Sequence, residues 1–539
     1  MTSSRFLLSA LCVLCVSVAP TAAAEPTYWQ DVRPVLRRHC TVCHNRRQLA
    51  EVDVSGGISL DSFENIFKNK KPLLLPGKSK DSLMIQLVTS TDREKRMPLG
   101  NDPVPAEDIA ILKSWIDSGA KEGIKPDSDP TTVVTTAPPR RRKLDVTLTT
   151  TAIPSPGLFG PGAASALKLV MNVGPLSPVP AVAFSPDGKL LATGTYGRVT
   201  IWDLTTVKPV KVLTNVLGAV NDLRFSPDGK LLVVAGGQPS AKGDLRLYQT
   251  ADWKLLAVLP GHLDVVSGVA FSPDGKSLAS ASFDKTVRLW ELTTHKFVRE
   301  YTGHSDFVYA VAFVGPKGEF LASASKDRSV KMVETATGKS KFTFSGMDLD
   351  VIALAVHPNG QSLVSSGMES GIYWWNPQTG ERVRVQGGHR GTVYELCYNR
   401  DGSVLASASG DATVQVWNGT TGLPLRAIAV GSLTYAVALS ADGKFVAAGS
   451  FDGLVRLFDT ATGKLLVTLM SLPPQGETAD WVAQTPEGHT AASPGLTAAG
   501  KWRMGTQDLA AGAVWKTLLK PDEVAKAARG ETVPTPFGK

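Results

Sequence analysis

Between residues 166 and 505 the chain alternates short apolar runs with turns, again and again. Residues 254–292 show one round: KLLAVL, GH, VVSGVAF, SPDG, SLASAS, FDK and TVRLWEL. Alternating runs of this length, bounded by Gly and Asp, predict four short strands. Asp-Gly and Gly-rich pairs supply the tight reversals between them. A four-stranded sheet of roughly 40 residues cannot bury both of its faces alone, so the units must stack around an axis.

Two markers give the period. Gly188, Gly229, Gly275, Gly318, Gly360, Gly402, Gly443 and Gly488 each end a turn after an apolar strand, at steps of 41, 46, 43, 42, 42, 41 and 45 residues. Trp202, Tyr248, Trp290, Val333, Trp375, Trp417, Phe458 and Trp502 follow them at an offset of 14 or 15, except in the second unit, where GQPSAKG stretches it to 19. With Gly261-His262, Gly303-His304 and Gly388-His389 standing 22 or 23 residues before Asp284, Asp327 and Asp411, these repeats resemble the WD-repeat family of β-propellers. The resemblance implies a His–Asp–Ser/Thr–Trp network, expected in units three and six. Val333 interrupts it in unit four, and the other units lack the Gly-His pair. Seven units are clear. The eighth, DWVAQTPEGHTAASPGLTAAGKWRMG, keeps its Gly and Trp but no outer strand, and ALKLVMNV (166–173) is an outer strand without an owner. Pairing the two would close the ring with few exposed edges, so eight blades are expected, with seven plus a C-terminal appendage as the rival.

Ahead of the repeats the period changes. Trp29, Val32, Val35 and Leu36 form a helical stripe, Ser62–Phe67 a short helical piece, and Pro105-Ala106-Glu107-Asp108 starts a helix that Gly119 ends. Residues 121–165 are rich in Pro, Thr and Gly and are expected to be an extended linker. The expected organisation is multidomain: residues 1–24 an export signal, 25–120 a small all-α domain, 121–165 the linker, 166–505 an all-β propeller, and 506–539 a C-terminal tail.

Composition narrows the picture. Hydrophobic residues make up 43% and charged residues 20% of the 539, as in globular chains. The net charge is +8 and spread out, so nucleic acid is not an expected partner; RRRK at 140–143 reads as a solvated run. One Arg, an apolar run from Phe6 to Val18 and Ala22-Ala23-Ala24 have the form of a secretory signal, which would remove Cys12 and Cys15. An exported, periplasmic or cell-envelope protein is expected, with no transmembrane segment in the mature chain. Cys397, in VYELCY, reads as a buried thiol, which leaves Cys40 and Cys43.

Those two stand in Arg37-Arg38-His39-Cys40-Thr41-Val42-Cys43-His44. Haem attachment needs two thiols one helical turn apart and a His beside the second, which Cys-x-x-Cys-His supplies. Zinc normally takes four ligands, and no second Cys pair exists. A redox dithiol would start a helix in a strand–helix–strand context that is missing here. Met84 sits in the apolar SLMIQLV and reads as core packing. Met97 lies in the non-helical Arg96-Met97-Pro98-Leu99-Gly100 loop and is the candidate sixth iron ligand; the competing reading is a loop Met that only closes the core.

Residues 28–120 resemble the c-type cytochrome domain found widely in planctomycete-type bacteria. The matching pieces are Cys40-Thr41-Val42-Cys43-His44, Gly57-Ile58-Ser59-Leu60-Asp61, Pro76-Gly77-Lys78-Ser79, Ser82-Leu83-Met84, Met97-Pro98 and Trp115-Ile116. The resemblance implies one haem c, bound covalently at Cys40 and Cys43, with His44 and Met97 on the iron. The leading functional reading is an exported electron carrier whose propeller docks a protein partner; no catalytic residues are assigned. The alternatives are an oxidoreductase with a second cofactor on the propeller axis and a haem-bearing scaffold or sensor. For the oxidoreductase, no cluster of His, Arg or carboxylate beyond the repeat consensus is found.

Overall fold

The computed structural model describes residues 25–32, 35–36, 60, 63–67, 73–92, 97, 104–122, 145–151, 166–173, 176–214, 216–473, 479–504 and 506–537. It divides into two compact units, residues 1–137 and 138–539.

In the second unit, seven blades each run outward as four antiparallel strands. Their inner strands are Ala181–Phe184, Ala219–Phe225, Val266–Phe271, Val308–Val314, Val351–Val356, Val393–Tyr398 and Thr434–Leu439. Each packs beside the next, and the seventh packs beside the first, so the ring is closed. The Val179 amide donates to the Ser450 carbonyl oxygen at 3.0 Å across that closure. Apolar side chains fill the wedges between blades: Leu278 and Trp290 of blade three pack on Val233, Leu245 and Leu247 of blade two. A fully buried aliphatic side chain of this kind contributes about 1.5–3 kcal/mol relative to exposure.

The Ser-Pro-Asp-Gly turns explain one marker. In Ser272-Pro273-Asp274-Gly275 the Ser hydroxyl donates to Asp274 at 2.6 Å and accepts the Ser277 amide at 2.9 Å. Gly275 sits at φ +69°, where a side chain would be strained.

The expected eight blades are corrected to seven. Leu465–Ser471 is the fourth strand of blade seven, and no eighth blade follows it in the ring. Trp481–Gln484 and Thr490–Ala492, the hairpin around Gly488, extend that same sheet to six strands. The pairing of 166–173 with the Trp502 segment does form, with Leu169 opposite Trp502, but in a separate four-stranded sheet. That sheet is completed by Asp145–Thr149 and Gln507–Leu509. Two other boundaries also move. Part of the expected linker, Asp145–Thr149, is a strand, and the expected tail carries the helices Ala511–Leu518 and Pro521–Ala528. The second of these packs on the outer strands of blade seven through Val524, Ala525, Ala527 and Ala528.

The described elements of the first unit are all helical: Tyr28–Val32, Phe63–Phe67, Ser79–Asp81, Leu83–Val88 and Ala106–Asp117. Val32, Val35, Leu36, Leu112, Trp115 and Ile116 share one buried cluster with Tyr28 and Met84, as the helical stripes require. Among the described residues no helix is long and apolar enough to cross a membrane.

Candidate haem-bearing unit and docking face

Cys40, Cys43 and His44 lie outside the described residues, while Met97 lies within them. Met97 is half-buried, and its amide donates to the Leu87 carbonyl oxygen at 3.1 Å, which ties this residue to the end of the Leu83–Val88 helix. Met84, on that helix, is buried in the apolar cluster, consistent with packing. The Pro76–Ser79 turn is tied to the last helix. Ser79 donates through its amide and hydroxyl to the two Asp117 oxygens at 2.9 and 2.8 Å, and the Gly77 amide donates to the Ile116 carbonyl oxygen at 2.6 Å. These bonds hold the Asp117 carboxyl below its ordinary range. The first and last described helices of the unit meet where the Trp115 indole N–H and the Tyr28 amide both donate to the Lys121 carbonyl oxygen, at 2.8 and 3.0 Å. The buried apolar cluster and the half-buried Met97 thioether have the chemistry that a haem face and an iron-ligating sulfur would need.

In the propeller, the histidines of the Gly-His pairs act structurally. In blade three, His262 lies 2.9 Å from Asp284 and 2.8 Å from the Ser280 hydroxyl, which also accepts the Trp290 indole N–H at 2.9 Å. Blade six repeats it with His389, Asp411, Ser407 and Trp417 at 2.9, 2.7 and 2.9 Å. Blade four keeps His304, Asp327 and Ser323, at 2.8 and 2.9 Å, and loses only the indole. A small cavity of about 30 Å³ beside Val333, Ser323 and His304 marks the missing ring. Burial would raise the Asp284 carboxyl, but the His262 and Thr286 hydrogen bonds outweigh it and hold Asp284 well below its usual range. Blades one and five keep only the indole bond, Trp202 to Thr193 at 3.1 Å and Trp375 to Ser365 at 2.8 Å.

Because strands in a blade run up and down, alternate turns fall on alternate rims. One rim therefore collects the second-to-third-strand turns and the connections between blades. It is rich in aromatic and apolar side chains. Phe283 stacks on Phe307 at 4.7 Å, Tyr394 meets Tyr435 at 5.0 Å, and Tyr435 meets Phe451 at 6.4 Å. Tyr196, Leu263 and Phe451 are 64%, 59% and 57% exposed. Lys326 lies 5.0 Å over the Phe307 ring.

The channel on the axis corrects the expectation that it carries no charged cluster. Asp222 and Arg224 of blade two meet Glu395 of blade six there, with Arg224 Nη2 2.8 Å from Glu395 and Nε 3.2 Å from Asp222. The sequence signal was present: blades three, four, five and seven carry Gly268, Ala310, Ala353 and Ala436 where blades two and six carry the acids. The remaining cavity is about 70 Å³. Organic cofactors and ligands fill sites of about 300–1,000 Å³, so this space between the inner strands is several-fold smaller than such a site. Cys397, a half-buried free thiol on the same strand as Glu395, is pushed up to about 12 by burial and the neighbouring carboxylate.

Fold and sites together define a multidomain β-propeller protein with a separate N-terminal module. The family model described as planctomycete cytochrome C matches residues 40–98. The model described as WD domain, G-beta repeat matches seven segments, 168–203, 207–249, 253–291, 295–333, 338–376, 380–418 and 430–459. The chain is thus a planctomycete-type c-type cytochrome domain fused to a WD-repeat β-propeller. No curated protein matches it.

Proposed function

We propose that the chain is an exported mono-haem c-type electron carrier, with an all-α haem domain and a propeller that docks a partner protein. The observation that carries this is the planctomycete cytochrome match, which begins at Cys40 and ends one residue past Met97. It encloses Cys40, Cys43, His44 and Met97; in this reading Cys40 and Cys43 would hold the haem through thioethers and His44 and Met97 would ligate its iron. When bound, the haem iron would supply a one-electron couple. The chain's part is to hold it: two thiols fix the ring, and Met97 favours the reduced iron and so raises the potential. The buried apolar cluster around Trp115 and Met84 would supply the dry packing that a haem needs. The docking surface in this reading is the aromatic rim around the channel mouth, because contiguous exposed apolar patches mark interaction sites. Partner docking would bring a donor or acceptor to the tethered haem domain.

The test is haem retention. After export with the haem-attachment machinery, the denatured full-length chain should keep one covalent haem. Cys40→Ala with Cys43→Ala should keep none. Wild-type protein without covalent haem would overturn the reading.

A further inference from the structure

Six inner strands carry a bulge after their first residue or two, and the residue that resumes the ladder faces the next blade. In blade three it is Gly268, where a Cβ would lie 2.8 Å from the Tyr309 carbonyl oxygen. The two acids at this position reach farther. Asp222 accepts the Val269 amide of blade three, and Glu395 accepts the Val437 amide of blade seven, both at 2.9 Å. Their other oxygens face Arg224, which leaves blade two and ends on blade six, three blades away around the ring. It is a strut across the axis. One guanidinium stands between two carboxylates in a space of about 70 Å³, so full ionisation leaves one negative charge without a counter-charge.

We propose that the Arg224 strut is governed by one proton held by the Asp222–Glu395 pair, so that the brace switches between a protonated and a fully ionised form. The other titratable groups facing it are Tyr309, Tyr394, Tyr435 and Cys397. Burial pushes the Tyr309 and Tyr435 hydroxyls upward and the Cys397 thiol to about 12, so these stay neutral through this range. No titratable group of the blade-three or blade-five inner strands lines the channel among the described residues. Burial drives Glu395 up to about 7, against the attraction of Arg224 and with the repulsion of Asp222. Burial likewise raises Asp222. The proton would sit mainly on Glu395, whose bond to Arg224 then weakens while Asp222 keeps its own. Tyr394 precedes Glu395 and packs on Tyr435, so the switch lies directly beneath the aromatic rim. The proposal concerns the strut itself and does not depend on the docking reading.

The sign follows from linkage. The folded chain binds this proton more tightly than the unfolded chain, whose carboxyl titrates near ~4.3. Stability from this group is therefore full at low pH and falls as pH rises toward about 7. His304 and His389, held low by burial against their Asp partners, contribute the opposite slope. Glu395→Gln keeps the Val437 acceptor and removes the titration. Denaturant unfolding of the full chain between about pH 5 and 8 should therefore fall more with pH in wild type than in E395Q, by roughly one bound proton. Infrared spectra of the folded wild type should show a protonated carboxyl band at about pH 6 that fades by about pH 8, because exposed carboxyls are already ionised there. That measurement needs no variant and holds if E395Q does not fold. Equal slopes in the two proteins, or no such band, would overturn the proposal.

Discussion

Ser280 shows how a single hydroxyl organises a blade. It accepts the Trp290 N–H, and its own proton goes to His262 Nε2, leaving His262 Nδ1–H for Asp284. The chain of donors fixes the imidazole tautomer and leaves no buried polar atom of the set unpaired. In blade four the same hydroxyl, Ser323, serves only His304. Ser280→Ala should therefore orphan two buried groups and Ser323→Ala one. At about 1–3 kcal/mol for each unsatisfied group, S280A should lower the unfolding free energy by more, roughly 2–6 kcal/mol. Denaturant titration of both variants checks the order. Much of this scale was legible: Gly-His, Asp and Trp at fixed offsets announced the networks of blades three and six. The axis triad was not read, because Asp222 and Glu395 look like ordinary polar strand residues until the bulges are aligned.

At the scale of elements, the open question for any sheet is its edge. Blade seven continues past its fourth strand into the Trp481–Gln484 and Thr490–Ala492 hairpin, and the Pro521–Ala528 helix packs against that region. Val524 is wholly buried there, in one cluster with Leu466 and Val467 of the outer strand. Val524→Asp buries a carboxylate without a partner, so the helix should detach and expose the apolar surface beneath it. The expected result is a loss of about 3 kcal/mol or more and concentration-dependent aggregation, measured by thermal unfolding and light scattering. Strand pattern and turn chemistry predicted the blades themselves, since each rests on local alternation. The blade count rests on where the Gly488 hairpin pairs: it extends the sheet of blade seven and does not join the Trp502 strand, and local pattern does not show that choice. A divergent hairpin carrying Gly488 then passed for an eighth unit.

For the whole molecule, two kinds of machinery share one chain. The propeller supplies a rigid closed ring, an aromatic rim and a charged strut; the N-terminal unit supplies helical walls and Met97. The Cys-x-x-Cys-His motif stands out in sequence because haem attachment needs those residue types at that spacing, while Cys40, Cys43 and His44 lie outside the described residues. What the docking rim takes hold of depends on a surface whose residues lie far apart in sequence, such as Phe283, Tyr394 and Phe451, which no local pattern joins. Iron ligation is where the functional account is most exposed. Absorption spectra of the purified full-length chain, oxidised and reduced, should be recorded for wild type and Met97→Ala. The account predicts one covalent haem in both, with the weak long-wavelength band of an iron–methionine bond in oxidised wild type and its loss in M97A. A band unchanged by M97A, or wild-type protein with no haem, would contradict it.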